Sequence, residues 1–295
     1  MANTFSTVNN TFIGNLVLDQ FVATLAPLAA FTSNCTNQVA FRGDTVKILN
    51  VQTSSAALDY ADTGTYVMQH AEASGIDVTL NKHKYTSVEL KDTEVRDAQI
   101  LSAENFYRSK GYGLALAVMS DLMTFVSSSF KASTTTVSAS PAFSSSAVVG
   151  LTAVADNANW TPYNRAMVLN PTQHSYLRQD SNILFSQIAA SLMDKNATKT
   201  VSSLDDWHIY KTGIVPTQTC GYICVPQALC FASRVVAPQT PNQYSDMQIL
   251  TDPDSGLAIT QLQWHNPDSG ARRLAWIVNY GYALGLSTGC RLLVN

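Results

Sequence analysis

The residues of this chain best suited to bind a metal are its cysteines, which are scattered at Cys35, Cys220, Cys224, Cys230 and Cys290. Three of them fall between residues 220 and 230, and His208 precedes these three. Structural zinc sites use Cys and His ligands in tight, repeated pairs, with roughly two to four residues between paired cysteines. The gaps here are three and five residues, with no second pair, and an odd number of cysteines does not make a disulfide framework. We therefore expect no metal site, and we expect reduced cysteines that pack as small apolar side chains.

The histidines and acidic residues do not form a recognisable catalytic motif. The sequence has no G-x-S-x-G nucleophile turn, no glycine-rich phosphate loop and no H-E-x-x-H zinc motif. His174 stands beside Ser175, and His208 lies between Trp207 and Ile209, so both are interpreted as packed or surface histidines. We expect no enzymatic activity, no catalytic residue and no cofactor. An enzyme whose site assembles only in the folded chain is the alternative.

The composition favours a subunit that buries part of its surface against neighbours. Charged residues make up 13% of the 295-residue chain and hydrophobic residues 46%, whereas a soluble domain has about 25% charged residues. Interface cores are depleted of charge, which fits this polar but weakly charged chain. The net charge of −3 argues against a broad nucleic-acid-binding face. No unbroken apolar run of about 18 residues is present, so we expect no membrane span.

The tripeptide Arg42-Gly43-Asp44 is typical of cell-adhesion ligands in secreted proteins. Residues 1–10 do not have the composition of a signal peptide. Gly-Asp is also a turn signal, and residues 45–49 follow it as a short apolar strand. We therefore expect a turn that leads into a strand. A secreted β-rich adhesin is the corresponding alternative.

The first half of the sequence predicts an arm, a long two-stranded excursion and a long helix. Residues 1–40 predict an extended arm with one short helix around residues 15–25, which Pro27 interrupts. Residues 45–90 predict two strands with a loose tip and a polar turn at residues 81–84. A helix of about 35 residues, about 50 Å long, follows.

Local signals define this helix more closely. Asp92 or Thr93 is expected to cap it. Leu114, Val118 and Leu122 form an apolar stripe at helical spacing. Gly111 and Gly113 are expected to mark a bend.

The second half of the sequence predicts strands and two further helices. Residues 166–169 predict a buried strand, after which Asn170 caps a short helix that begins at Pro171. Residues 201–219 predict a strand pair, and Pro226 is expected to open a helix over QALCFASRV. Alternating apolar residues predict strands from residue 257 to the C-terminal end.

The order of these elements resembles the major capsid proteins of tailed phages, which have the Hong Kong 97-type shell fold. The segments that carry the resemblance are residues 43–46, 78–90, 165–171, 227–234 and 256–295. It implies an α+β fold with an N-terminal arm, an extended β-hairpin loop, a long spine helix, and peripheral and axial domains. The implied boundaries are 1–44 for the arm, 45–91 for the extended loop, 92–134 for the peripheral domain with its spine helix, 135–240 for the axial domain, and 241–295 for the return strands.

The resemblance also implies a function and partners. The chain would assemble with itself as pentamers and hexamers into an icosahedral shell around double-stranded DNA, which its inner face would contact without sequence specificity. The expected location is the virion, after assembly in the host cytoplasm. A portal and, in some relatives, a decoration protein would complete the particle. An encapsulin-like compartment shell is the alternative within the same fold.

Two departures from relatives shape these expectations. Some relatives fuse a scaffolding segment of about a hundred residues to the coat, but only about 40 residues precede Gly43, so we expect a separate scaffolding protein. Some relatives crosslink neighbours through a lysine on the extended loop, yet no lysine lies between Lys47 and Lys82. We therefore expect a shell without covalent crosslinks. Lys82, Lys84 and Arg96 are the candidates for ion pairs between subunits.

Overall fold

Two six-stranded sheets and one two-stranded sheet make up the β-structure of the residues that the structure describes. The computed structural model describes residues 5–34, 45–51, 73–91, 104–137, 143–180, 203–215, 219–235, 244–252, 256–267 and 270–294. The described helices all lie between Phe5 and Gln179. Since both kinds of element are abundant and the strands pair in mixed directions, the α+β class predicted from the sequence is confirmed.

The helices and strands have the following bounds. The helices are α1 (Phe5–Leu25), a 3-10 turn at Ala26–Ala30, α2 (Glu104–Ser129), α3 (Ser145–Asn157) and α4 (Pro171–Gln179). The strands are β1 (Thr32–Asn34), β2 (Thr45–Val51), β3 (Ala73–Thr79), β4 (Lys82–Lys91), β5 (Thr134–Thr136), β6 (Arg165–Leu169), β7 (Ser203–Leu204), β8 (Trp207–Lys211), β9 (Gly221–Cys224), β10 (Leu229–Arg234), β11 (Asp246–Thr251), β12 (Ala258–Asn266), β13 (Ala271–Leu284) and β14 (Cys290–Val294).

Helix α1 replaces most of the extended arm that the sequence predicts. Val17, Phe21 and Leu25 recur every four residues, so they lie on one face, and all three are buried in the main core. The predicted helix around residues 15–25 is therefore too short, because the apolar stripe begins earlier and packs on α2. Pro27 ends the helix as predicted, at the start of the 3-10 turn.

The segment Thr11–Ala30 is long and apolar enough to cross a membrane, with a mean hydropathy of 1.4. Its average hydropathy is high although polar residues interrupt it, and for this reason a search for an unbroken apolar run does not find the segment. Half of the segment is buried inside the protein. Burial of this kind is typical of the core helix of a folded domain, and it accounts for the apolar composition.

Helix α2 lies against α1 along its predicted stripe. Leu114, Val118 and Leu122 are all buried, which confirms the stripe. The helix runs through Gly111 and Gly113 without interruption. A Cβ atom at Gly111 would overlap the carbonyl oxygen of Val17, so this glycine allows the two helix backbones to touch. The predicted start of the helix at Asp92 or Thr93 lies outside the described residues.

The large sheet has the strand order β1-β10-β13-β12-β11, with β4 paired along β13. Its inner face contacts α1 and α2 through residues such as Leu274, Trp276 and Val278, which alternate along β13 and belong to the main core. The residues between them point to the opposite, outer face. Apart from Arg272, Arg273 and Asn279, the residues of β13 that point to either face of the sheet are apolar or aromatic. This is the pattern of a strand that is covered on both faces.

The small sheet has the strand order β5-β14-β9-β6-β8-β7. Strand β6 is buried on both faces: Ala166 and Val168 join the main core, while Met167 and Leu169 join a second core with α3 and α4. This confirms the predicted buried strand. Asn170 then caps α4 as predicted, because its side-chain oxygen accepts a hydrogen bond from the Gln173 backbone N–H at 2.8 Å.

The helix predicted after Pro226 is wrong, because this segment forms strand β10. Leu229 and Phe231 point into the main core, while Cys230 and Ala232 point to a small cluster on the outer face. Alanine, leucine and glutamine favour a helix locally. Pairing with β13 on a two-sided sheet overrides that preference.

Other elements also differ from the sequence-based predictions. The Ser- and Thr-rich passage before Trp160 contains α3, which was not predicted and which begins at an N-cap, Ser144. The strand pair predicted for residues 201–219 is shorter than expected and consists of β7 and β8. The polar turn predicted at residues 81–84 is confined to Leu80 and Asn81, since β4 begins at Lys82. The domain boundaries proposed for the chain stay a prediction.

Candidate subunit-interaction surfaces

The structure does not gather the cysteines and His208 into a site. Cys220, Cys224 and Cys230 belong to three different buried clusters, and His208 is exposed on β8. Within the described ranges no group of three His, Cys, Asp or Glu side chains is placed to hold a metal ion. The four described cysteines are buried and unbridged, which agrees with their interpretation as packing residues.

The outer face of the large sheet carries an open groove of about 610 Å³. We call it the outer groove, and its principal lining residues are Tyr85, Glu89, Tyr244, Trp264, Arg273 and Ile277. The strand register explains why they meet. Tyr85 pairs with Ile277 and Glu89 with Arg273 across β4 and β13, while Trp264 pairs with Arg273 from β12. Cross-strand partners share a face, so these side chains form one continuous surface.

The side chains of the outer groove have the composition of a protein-binding surface. Tyr85 is 67% exposed, although tyrosine is a large and mostly apolar residue. Tyr244 packs edge-on against Trp264 with ring centroids 5.9 Å apart. Arg273 donates from Nε to Glu89 Oε2 at 3.0 Å and forms an ion pair with it. Tyrosine, tryptophan and arginine are enriched in interface cores. An exposed aromatic surface on a rigid sheet therefore marks a candidate docking site.

The hairpin of β2 and β3 begins beside this groove. Its two strands pair with each other from Thr45–Thr79 to Val51–Ala73, and residues 52–72, which connect them, lie outside the described residues. Val78 and Leu80 are fully buried against Cys230 and Ala232 on the outer face of the large sheet. Within the described residues, β2 pairs with no strand except β3. Two-stranded hairpins are marginally stable alone, and the contacts described for this one with the rest of the chain lie at its base.

Gly281 lets the base of the hairpin cross the large sheet. A Cβ atom at this position would overlap the carbonyl oxygen of Thr79. The chain therefore passes directly over β13 before it turns at Leu80 and Asn81 into β4. The base of the hairpin is fixed to its own subunit by this crossing.

The lysines predicted for ion pairs between subunits have contacts within the chain. Lys84 Nζ lies 3.2 Å from Asp121 Oδ2 on α2. Lys82 lies over the ring of Tyr282 at 5.8 Å from its centroid. Arg96 lies outside the described residues. The structure therefore gives two of the three candidates a role in joining β4 to α2 and β13, and their role between subunits stays a prediction.

Asp121 on α2 also accepts a hydrogen bond from the large sheet, which α2 covers. Tyr280 donates its hydroxyl hydrogen to Asp121 Oδ2 at 2.8 Å. Burial, followed by this hydrogen bond and the negative charge of Asp121, raises the pKa of Tyr280 far above the ordinary value for tyrosine. The phenol therefore stays protonated and continues to donate. Lys84, Asp121 and Tyr280 hold the long helix on the large sheet.

Comparison with solved structures gives this architecture a context. The chain is similar to the capsid of Ralstonia phage GP4, with a TM-score of 0.55 at 12% identity over 91% of this chain and 87% of that one. It is similar to the capsid of the cyanophage P-SCSP1u, with a TM-score of 0.53 at 12% identity over 89% and 86%. The virus-like particle from Pyrococcus furiosus matches with a TM-score of 0.50 at 12% identity over 95% and 96%. No protein-family model and no curated protein matches the sequence.

The chain has the fold of phage capsid proteins. This fold confirms the resemblance drawn from the order of elements, and it extends over most of the chain rather than one segment.

The outer groove was not identified from the sequence. Tyr85 and Glu89 sit in a strand whose alternation was recognised, but Trp264, Arg273 and Ile277 come from two other strands. The sequence signal for this surface is that most residues of β13 are apolar or aromatic on both faces of the sheet. Such a strand predicts a covered outer face, and the described residues of the hairpin base cover the part near Gly281.

Proposed function

We propose that this chain is the major capsid protein of a tailed bacteriophage, and that its copies assemble as pentamers and hexamers into an icosahedral shell around double-stranded DNA. The fold shared with phage capsids supports a shell-forming role. The observation that carries the proposal is a pair of incomplete surfaces on one chain. The hairpin requires a partner surface, and the outer groove presents an aromatic surface that the described residues leave open.

The proposal pairs these two surfaces between neighbouring copies. The hairpin of one subunit lies over the next subunit and covers its outer groove. The groove offers an exposed tyrosine, an aromatic pair and an ion pair that is partly open to solvent. Contact of this composition is stabilised mainly by burial of apolar surface, and surface ion pairs add little.

The remaining partners of the proposed shell follow from this role. A separate scaffolding protein and a portal take part in assembly, and a decoration protein is a further candidate partner. DNA contacts the inner wall without sequence specificity, which suits a weakly charged chain with a net charge of −3. Lys82, Lys84 and Arg96 are proposed to contribute charge near subunit contacts, with Lys84 acting through its pair with Asp121. The location is the virion, after assembly in the host cytoplasm.

A protein compartment shell is the second candidate. The match to the virus-like particle from Pyrococcus furiosus covers 95% of this chain and 96% of that chain. A compartment uses the same contacts between copies and differs in its contents. The two functions are therefore distinguished by what the particle encloses.

Electron microscopy of the purified chain, after size-exclusion chromatography at several protein and salt concentrations, tests the proposal. We expect closed shells, or rings of five and six subunits. Absorbance ratios and nuclease treatment of shells purified from infected cells then distinguish enclosed DNA from enclosed protein. A chain that stays a compact monomer, with a protease-resistant segment 45–79 and with scaffolding protein present, would contradict assembly.

A matched pair of substitutions tests the outer groove. Tyr85→Ala removes an exposed ring from the groove, and Tyr163→Ala removes an 80% exposed ring that lies outside the groove. Both variants are expected to fold, because neither ring is buried. We expect Tyr85→Ala to raise the protein concentration required for assembly several-fold, since losing one aromatic contact weakens an interface by about 1–2 kcal/mol. Assembly of Tyr85→Ala at the wild-type concentration would refute the role of the groove.

A further inference from the structure

Cys224 and Cys290 face each other across two neighbouring strands of the small sheet. They are direct partners in the antiparallel register of β9 and β14. Both side chains are fully buried in the main core, where the Cys224 thiol donates to the backbone carbonyl of Ala166 at 3.6 Å. The pair unites two cysteines that are far apart in sequence.

The backbone at this pair has the spacing that a disulfide requires. The Val225 N–H donates to Gly289 O at 2.9 Å, so the adjacent position of the ladder is a hydrogen-bonded pair. Pairs alternate along an antiparallel ladder, which places Cys224 and Cys290 at a non-hydrogen-bonded position with Cα atoms about 4.5 Å apart. Disulfides join Cα atoms separated by about 4.4–6.8 Å. A bond can therefore form without displacement of either strand.

We propose that Cys224 and Cys290 are a modification site, and that they form an intramolecular disulfide when the chain meets a small-molecule disulfide as oxidant. One cysteine thiolate attacks the oxidant, forms a mixed disulfide and releases one small thiol. The second cysteine thiolate attacks the protein sulfur of that mixed disulfide and releases the other small thiol. Two protein thiols are oxidised, one small-molecule disulfide is reduced to two thiols, and the two protein protons pass to the two released thiolates.

Burial protects the reduced pair from oxidation while the chain is folded. Burial, and then the neighbouring Cys290, raises the pKa of the Cys224 thiol well above its usual range, and the thiolate is the form that attacks. Reaction therefore requires a local opening that exposes the pair. Strand β14 is suited to open, because its other neighbour, β5, pairs with it over three described residues.

The bond would fasten β14 to the centre of the small sheet. It would also close a loop that contains β10, β11, β12 and β13, and therefore most of the large sheet. A crosslink across so long a loop restricts the unfolded chain strongly. This inference is independent of the proposed function, since it concerns contacts within one subunit.

The test compares wild-type protein kept in a buffer of oxidised glutathione with the same protein kept in dithiothreitol. Samples are exposed to the oxidant both as folded protein and during refolding from urea, so that burial does not prevent reaction. After thiol alkylation and digestion without reduction, mass spectrometry is expected to find the peptide of Cys224 linked to that of Cys290. The oxidised chain is expected to unfold on the order of 10 °C higher than the reduced chain.

Two variants control the experiment. Cys290→Ala is expected to lose both the linked peptide and the shift in unfolding temperature. Cys230→Ala removes a buried cysteine of the large sheet and is expected to keep both. The proposal is overturned if wild-type protein exposed to oxidised glutathione, both when folded and during refolding, is recovered in its native form with both thiols free. It is equally overturned if those thiols carry only glutathione or are bonded to other cysteines.

Discussion

Replacement of Gly111 by alanine tests whether the close approach of α1 and α2 determines the packing of the core. A Cβ atom at Gly111 would overlap Val17 O and would lie 3.2 Å from Val17 Cα. These atoms belong to the backbone of α1, so no side-chain rotation can relieve the contact. Gly113 lies two residues further along the same helix, and a Cβ atom there meets nothing within 4 Å.

The two glycines therefore predict effects of opposite sign. Alanine is favoured over glycine in a helix by about 1 kcal/mol, and this gain applies to both positions. At Gly111 the added methyl group forces apart two buried helices, and overpacking of this kind costs about 3 kcal/mol at the upper end of its usual range. We expect Gly111→Ala to lower the free energy of unfolding by about 2 kcal/mol and Gly113→Ala to raise it by about 1 kcal/mol.

Urea unfolding of the unassembled subunit measures this difference. The two variants and the wild type are compared at one low protein concentration, so that self-association does not contribute to stability. A difference of about 3 kcal/mol corresponds to a separation in Tm of roughly 6 °C or more between the variants. Equal stability of the two variants, or a more stable Gly111→Ala, would refute the contact between the helix backbones.

Four further predictions follow from single contacts. Asn170→Ala is expected to lower the free energy of unfolding by about 1 kcal/mol in urea, because the Gln173 N–H loses its acceptor; Asn170→Asp keeps an acceptor, and an equal loss in that variant would contradict the cap. The contribution of Tyr280 to the free energy of unfolding is expected to be fully present below about pH 10 and to fall as the pH rises further, because its raised pKa means that the unfolded chain releases the phenol proton first. Tyr280→Phe should flatten this fall in urea midpoints measured from pH 9 to pH 11. Gly281→Ala is expected to displace the base of the hairpin and to speed its cleavage in limited proteolysis, and an unchanged cleavage rate would show that β3 does not cross there. Assembled shells are expected to run as one band at the 31.9 kDa mass of the chain on a denaturing gel, whereas a ladder of heavier bands would reveal covalent crosslinks.

The elements predicted correctly are those whose local and tertiary signals agree. The buried strand of residues 166–169 is apolar in both phases and ends at an asparagine followed by proline, so its burial and its end are both encoded nearby. The apolar stripe of α2 is equally explicit. In each case the sequence within about ten residues contains the information that fixes the element.

The elements predicted wrongly depend on distant partners. Strand β10 contains good helix formers, and its strand conformation is imposed by pairing with β13 and by apolar neighbours on both faces. The role of Gly111 depends on Val17, which lies on another helix. The outer groove combines β4, β12 and β13 with Tyr244, so no single segment reveals it.

The large sheet presents an outer face to which a second copy is proposed to bind. Its inner face is covered by α1 and α2, whereas on its outer face the described residues of the hairpin base cover the region around Gly281. A single interface of standard size buries about 1,600 Å² of total surface, whereas the outer groove is lined by only a small number of side chains. We therefore expect the contact between copies to extend beyond the groove, with residues 45–79 as the segment that extends it. Substitution at Tyr85 is accordingly expected to weaken association, while deletion of residues 52–72 is expected to abolish it.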